Sequence, residues 1–177
     1  VGILHRDVSL GNILITKAGG LLIDWDLSMD ICELENNELE LTGTWQFISA
    51  RLLSTRTPQG VSHMLADDLE SFYHVLCYLI LLSGQHNLSP SAVSAQISYV
   101  YNHRWIYRGR MIGGTRKIVC FKDRWMTDKA SLVEGAVKDL VVGLEDMFAR
   151  RYNPDGVQGV QELSTHRWIL EQFNMFC

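Results

Sequence analysis

His5-Arg6-Asp7 is followed five positions after its aspartate by Asn12, and Asp24 comes after two short apolar runs. Two carboxylates and a carboxamide at these spacings fit phosphoryl transfer. That chemistry needs little covalent help from a protein and much positioning of charge. One carboxylate orients or deprotonates the attacking hydroxyl. A second carboxylate and a carboxamide oxygen hold Mg²⁺, a hard cation that prefers oxygen ligands. Asp7 fits the first role, and Asn12 and Asp24 fit the second.

These groups must be brought to one edge. The runs NILIT and GLLIDW flank KAGG, which predicts a β hairpin between Asn12 and Asp24. Residues 18–50 contain no Lys, Arg or His, and Glu33, Glu35, Glu38 and Glu40 mark an acidic loop. DDLESFYHVLCYLILLSG (67–84) predicts a helix capped by Asp67 or Asp68 and ended by Gly84. It is apolar nearly all round from Phe72, so it belongs inside a domain. A helix is expected after Pro90, an irregular basic stretch over 104–124, an amphipathic helix over 130–152, a turn at 153–156 and a last helix over 160–173. The fold class is therefore mainly α, with a small β hairpin at its N-terminal edge.

The chain has 177 residues, 47% hydrophobic and 20% charged, enough for one domain with a core. A formal charge of −4 argues against a nucleic-acid binder held by overall charge. Cys32, Cys77, Cys120 and Cys177 form no CxxC pair, which predicts reduced thiols and a cytoplasmic or nuclear setting. His63, His74, His86 and His103 have no ligand spacing, so no structural zinc is expected. No signal peptide is visible, and the apolar stretch Val75 to Leu82 is too short to span a bilayer, so no membrane partner is expected. Because the sequence opens at Val1 inside a strand-like run, it is expected to be a piece of a longer protein.

LHRDVSLGNIL, GLLIDWDLS, TGTWQFISARLL and DDLESFYHVL together resemble the fungal-type protein kinase family, within the eukaryotic protein-kinase-like superfamily. The resemblance implies a kinase C-terminal lobe. Residues 1–26 would be its catalytic and metal-binding loops and 27–51 its activation segment and P+1 loop. Residues 67–84 would be the central buried helix, 85–130 a family-specific insert and 131–177 the C-terminal helices. It implies a Ser/Thr protein kinase using ATP and Mg²⁺, with a protein as acceptor. Asp7, Ser9 and Thr44 would then be catalytic, Asn12 and Asp24 metal ligands, and Asn12, Leu14 and Asp24 ATP contacts. His5, Arg6, Trp25 and Asp68 would be structural or regulatory: Asp68 bonds back to the HRD backbone, and Arg6 grips an activation-loop phosphate or a substituting glutamate. No Gly-rich loop, VAIK-like lysine or partner glutamate precedes Val1, so the smaller ATP-covering lobe is an expected partner and the isolated chain is expected to be inactive and sticky.

The pattern departs from the family in places. Ser9 stands where most Ser/Thr kinases have Lys, so a positive charge near the γ-phosphate is lost. Asp26 replaces the glycine of DFG, and Trp25 its phenylalanine. SAR replaces APE, so Arg51 reverses a charge whose family role is to pair with a buried Arg; Glu145 and Asp146 are the candidates to compensate it. These departures leave two alternatives beside the kinase. One is a scaffold without catalysis. The other is a small-molecule phosphotransferase, against which the P+1-like loop argues. The basic stretch 104–124 reads either as a solvated insert or as a surface for an acidic substrate, with Trp105, Tyr107 and Trp125 as contact area.

Overall fold

A computed structural model describes residues 2–32, 41–56, 61–153 and 159–176. The order begins with β1 (Ile3–Leu4), a 3-10 turn at Leu10–Asn12, β2 (Ile13–Thr16), β3 (Gly19–Leu22), a second 3-10 turn at Trp25–Leu27 and β4 (Met29–Asp30). Helices α1 (Ala50–Ser54), α2 (Leu65–Ser83) and α3 (Pro90–Val100) follow, then β5 (Trp105–Tyr107), β6 (Arg110–Ile112) and α4 (Thr115–Lys122). A π-helical turn at Trp125–Lys129 leads to α5 (Ala136–Arg151), α6 (Gly159–Glu162) and α7 (Arg167–Phe176). The chain is mainly helical with small antiparallel sheets, as the sequence predicts. Among the described residues no helix is long and apolar enough to cross a membrane.

Helix α2 is the axis. Leu69, Tyr73, Cys77 and Ile80 project from it into a core shared with Phe121 of α4, Met126, Leu140, Val141, Leu144 and Phe148 of α5, and Leu163 and Ile169 near the C-terminus. The helix ends at Gly84 in the left-handed region (φ 76), as expected for a residue without Cβ. Its start differs from the expectation. Met64 takes the N-cap position, and Asp67 acts three residues in, accepting the Met64 N–H at 3.0 Å. Burial is not complete all round, because Leu79 and Leu82 are exposed.

Three other expectations are corrected. The stretch 104–124 is ordered: β5 and β6 pair in register Trp105↔Ile112 to Tyr107↔Arg110, and α4 follows. Arg108 (φ 49) and Gly109 (φ 78) both take positive φ, the geometry of a two-residue hairpin turn that matches strand twist. The helix expected over 130–152 starts only at Ala136, after Gly135. The last helix is two. Ser164 turns the chain back on Gln161, its N–H and Oγ both bonding the Gln161 carbonyl at 3.1 and 2.6 Å, so the hydroxyl competes with helix continuation. Of the turn at 153–156, only Asn153 lies within the described residues; Cys177 lies outside them.

Candidate active site

The hairpin forms where predicted, and it sets the site. Strands β2 and β3 pair from Ile13↔Leu22 to Thr16↔Gly19. One step further, the Ile23 N–H bonds the Asn12 carbonyl at 2.9 Å. Asn12 therefore lies opposite Ile23, and Asp24 is the next residue along. Asp24 takes a left-handed backbone (φ 61) and is exposed, and its carboxylate makes no hydrogen bond among the described residues.

The HRD segment is held from below by α2. Asp68 accepts the His5 N–H at 2.7 Å and the Arg6 N–H at 3.1 Å, and His63 Nε2 approaches it at 2.9 Å. His5 Nδ1 accepts the Asp7 N–H at 3.3 Å, so its Nε2 carries the proton and donates to the Ile23 carbonyl at 2.9 Å. His5 thus braces the HRD turn against the strand that leads to Asp24. Trp25 packs edge-on against His5 at 4.6 Å and donates its indole N–H to Leu22.

Asp7 is the meeting point. Its Oδ1 accepts both the Thr44 N–H at 2.7 Å and the Thr44 hydroxyl at 2.8 Å. Asn12 Nδ2 donates to the Asp7 carbonyl at 2.9 Å and to Oδ2 at 3.3 Å. That orientation leaves the Asn12 amide oxygen as the atom able to meet a cation. Gly43 makes the approach possible: it has φ 107, and a Cβ there would stand 2.6 Å from the Arg6 carbonyl. Ser9 is buried, its carbonyl accepts the Asn12 N–H at 3.1 Å, and its hydroxyl makes no hydrogen bond among the described residues. Leu14 is half-exposed on β2, across from Leu21.

Arg6 adopts φ 68 and donates to the Leu27 carbonyl at 3.3 Å; its side chain borders a cleft with Leu41, Thr42, Leu53, His63 and Met111. Glu33, Glu35, Glu38 and Glu40 lie outside the described residues. Among those residues no cluster of three His, Cys, Asp or Glu side chains could hold a metal. The donor set still fits Mg²⁺, which commonly takes one or two protein oxygens plus substrate phosphates rather than an all-protein cage.

The charge reversal at Arg51 is answered from α2, not from α5. Arg51 pairs with Asp67, and Glu145 and Asp146 are occupied elsewhere. Glu145 accepts the Met126 and Thr127 N–H groups at 3.0 and 2.8 Å, and Asp146 pairs with Arg124. Arg151 bridges Asp67 at 2.7 Å and Glu70 at 2.6 Å. Ser49 Oγ and the Ala50 N–H close onto Asp67 and Glu70 at 2.6 and 2.7 Å, and Tyr152 donates to Glu70 at 2.6 Å. Burial alone would raise the Asp67 carboxyl, but the Arg151 and Arg51 guanidiniums beside it hold it at about 2. Burial and the nearby Lys117 lower His74 to about 4, so its contact with Glu70 is a hydrogen bond of a neutral ring rather than an ion pair. The sequence reading missed this network, His63 and Gly43. A DDLE run with two late arginines carried a trace of the network, but the pairings span up to 84 residues.

The surface expected from 104–124 is reshaped too. The Arg56 and Arg108 guanidiniums each lie 5.5 Å from the Tyr107 ring, and Arg116 covers Tyr99 at 4.4 Å. Trp125 instead packs against the core, and Lys117 is buried.

Residues 1–80 match the sequence model of the fungal protein kinase family. No curated protein and no solved structure matches the chain. The matched stretch holds HRD, Asn12, Asp24, Thr44 and the first part of α2, whose contacts form the site. Over those residues, fewer than half of the chain, the protein is similar to the fungal protein kinase family.

Proposed function

We propose that the chain is the catalytic-loop portion of an ATP-dependent Ser/Thr protein kinase. The observation that carries this reading is the double bond of Thr44 to Asp7, through N–H and hydroxyl, on one carboxylate oxygen. It joins the residue that would orient a hydroxyl to the loop that would receive the acceptor chain. In this reading Asp7 aligns the acceptor Ser or Thr hydroxyl and takes up its proton, while Thr44 and Asn12 fix the carboxylate's direction. Asn12 and Asp24 hold Mg²⁺ on the phosphates of ATP, where the metal supplies charge neutralisation. Leu14 would lie beside the nucleotide.

An ATP-covering lobe would sit on the hairpin side. The exposed apolar side chains there, Ile15 (84% exposed), Leu21 (52%) and Trp25 (48%), support that placement. A protein acceptor, without nucleic acid or membrane, and a cytoplasmic or nuclear setting complete the proposal.

One observation favours a scaffold without catalysis: Ser9 offers a buried hydroxyl and no cation where the γ-phosphate would lie. A single experiment separates the two. Transfer of labelled phosphate from Mg-ATP to casein is measured with the full-length protein and with Asp7→Asn. The kinase reading expects transfer to Ser or Thr that falls by about a thousandfold in the variant. Absence of transfer from the unaltered protein with Mg-ATP bound would give the scaffold reading the field.

A further inference from the structure

We propose that Lys117, on α4, is a positioning residue for the acceptor loop: its buried ammonium holds the turn that carries Thr44 onto Asp7. The proposal rests on the kinase reading for what the loop receives, and on geometry alone for what Lys117 holds.

Lys117 is 1% exposed. Its Nζ donates to the Gln46 carbonyl at 2.8 Å and to the Ile48 carbonyl at 2.6 Å, with the Tyr101 ring 5.9 Å away. Among the described residues it makes no ion pair. Those two carbonyls flank Phe47 in a tight turn whose own N–H groups return to Thr44: Phe47 at 2.8 Å and Ile48 at 3.2 Å reach the Thr44 carbonyl. Thr44 in turn bonds Asp7 through N–H and hydroxyl. The links run without a gap from α4, through the turn, to the proposed base.

A buried amine without a carboxylate partner is costly, and an apolar chain of similar length would fill the space without that cost. Burial pulls Lys117 down to about 7, with Glu70 partly offsetting the effect. The amine's contribution is instead two N–H groups donated to carbonyls that no other donor among the described residues satisfies. When the amine is protonated these bonds are charge-assisted and about twice as strong as neutral ones. The fold supports the same contact from beside it. Gly113, just before α4, lies under Trp45, where a Cβ would meet the indole at 2.7 Å, and Gln46 Nε2 bonds Asn102 at 3.2 Å. The segment 102–117 is therefore a platform beneath the loop, and Lys117 is the part of it that reaches the loop backbone.

The test uses the full-length protein with Lys117→Met and Lys117→Gln, the second keeping N–H donors without a buried charge. Amide hydrogen exchange is followed for residues 43–50 against the interior of α2. Phosphate transfer to casein is measured alongside, varying casein and ATP separately. In Lys117→Met, exchange over 43–50 should rise about tenfold with α2 protection unchanged. Its kcat/KM for casein should fall by a similar factor while the KM for ATP stays at the unaltered value, and Lys117→Gln should lie between. If Lys117→Met does not fold, Lys117→Gln is read against the unaltered protein by the same criteria. Unchanged exchange over 43–50 in a folded variant, or an equal loss toward ATP and casein, overturns the proposal. Absence of transfer from the unaltered protein sinks the kinase reading and the acceptor role with it, while exchange still decides whether Lys117 holds the loop.

Discussion

Asp7 has both carboxylate oxygens engaged, Oδ1 by Thr44 and Oδ2 by Asn12, and is half-buried. The geometry depends on Gly43 more than on either partner. At φ 107, with the Arg6 carbonyl 2.6 Å from where a Cβ would stand, any other residue must move the loop. Gly43→Ala should therefore shift Thr44 off Asp7 and lower kcat by about 100-fold, as small misplacements of reacting groups do. Thr44→Val removes one of two bonds and should cost about tenfold. Steady-state transfer assays on both variants check this ranking; a Thr44→Val loss larger than that of Gly43→Ala would contradict it. Asp7, Asn12 and Asp24 were legible because their spacing follows from one short hairpin. Gly43 was not, because nothing local reveals that residue 43 crosses over residue 6.

At the scale of elements, α2 anchors everything the site needs. Asp68 holds the HRD backbone, and Asp67 and Glu70 hold residues 49–50 at the end of the loop that carries Thr44, and Arg151 of α5. Arg151→Met would leave two buried carboxylates short of their main cation, so unfolding by urea should show a loss of about 3 to 5 kcal/mol. Acid should act on the same network. The Asp67 carboxyl is at about 2 when folded, against an ordinary 3.8. Its stabilising contribution is thus complete above pH 3.8 and is lost as pH falls toward 2, an effect of about 2 kcal/mol. Urea midpoints between pH 5 and 2 should fall less steeply in Asp67→Asn than in the unaltered protein. Parallel slopes would mean that the network does not carry this acid sensitivity.

For the whole molecule, several of the apolar side chains left outside the core lie on the segment that carries the hairpin. Ile3, Leu14, Ile15, Leu21, Trp25 and Leu27 are all exposed, around the edge that carries Asn12 and Asp24. A patch of this kind drives association unless something covers it. The 177-residue chain alone should self-associate in light scattering, and the double variant Ile15→Ser, Leu21→Ser should shift it toward monomer. A monodisperse unaltered chain would count against this.

The sequence by itself determined the mainly helical class, the hairpin and the central helix ended by Gly84, and it offered Asp7, Asn12, Asp24, Thr44 and Asp68 as candidate site residues. The elements rest on local periodicity and turn residues, and Asp7, Asn12 and Asp24 on short spacing, while Thr44 and Asp68 came from the family resemblance. Tertiary structure alone decided which carboxylate answers Arg51, that 104–124 is an ordered platform, that the last helix breaks at Ser164, and that Lys117 is inside. The reason is physical. Hydrophobic patterning states how much a segment must bury, but a salt bridge or a buried amine is settled by whichever distant groups packing brings within about 3 Å. Arg51 could have met Glu145 as far as its charge was concerned, and only the seating of α2 beneath the loop that carries Thr44 gave it Asp67.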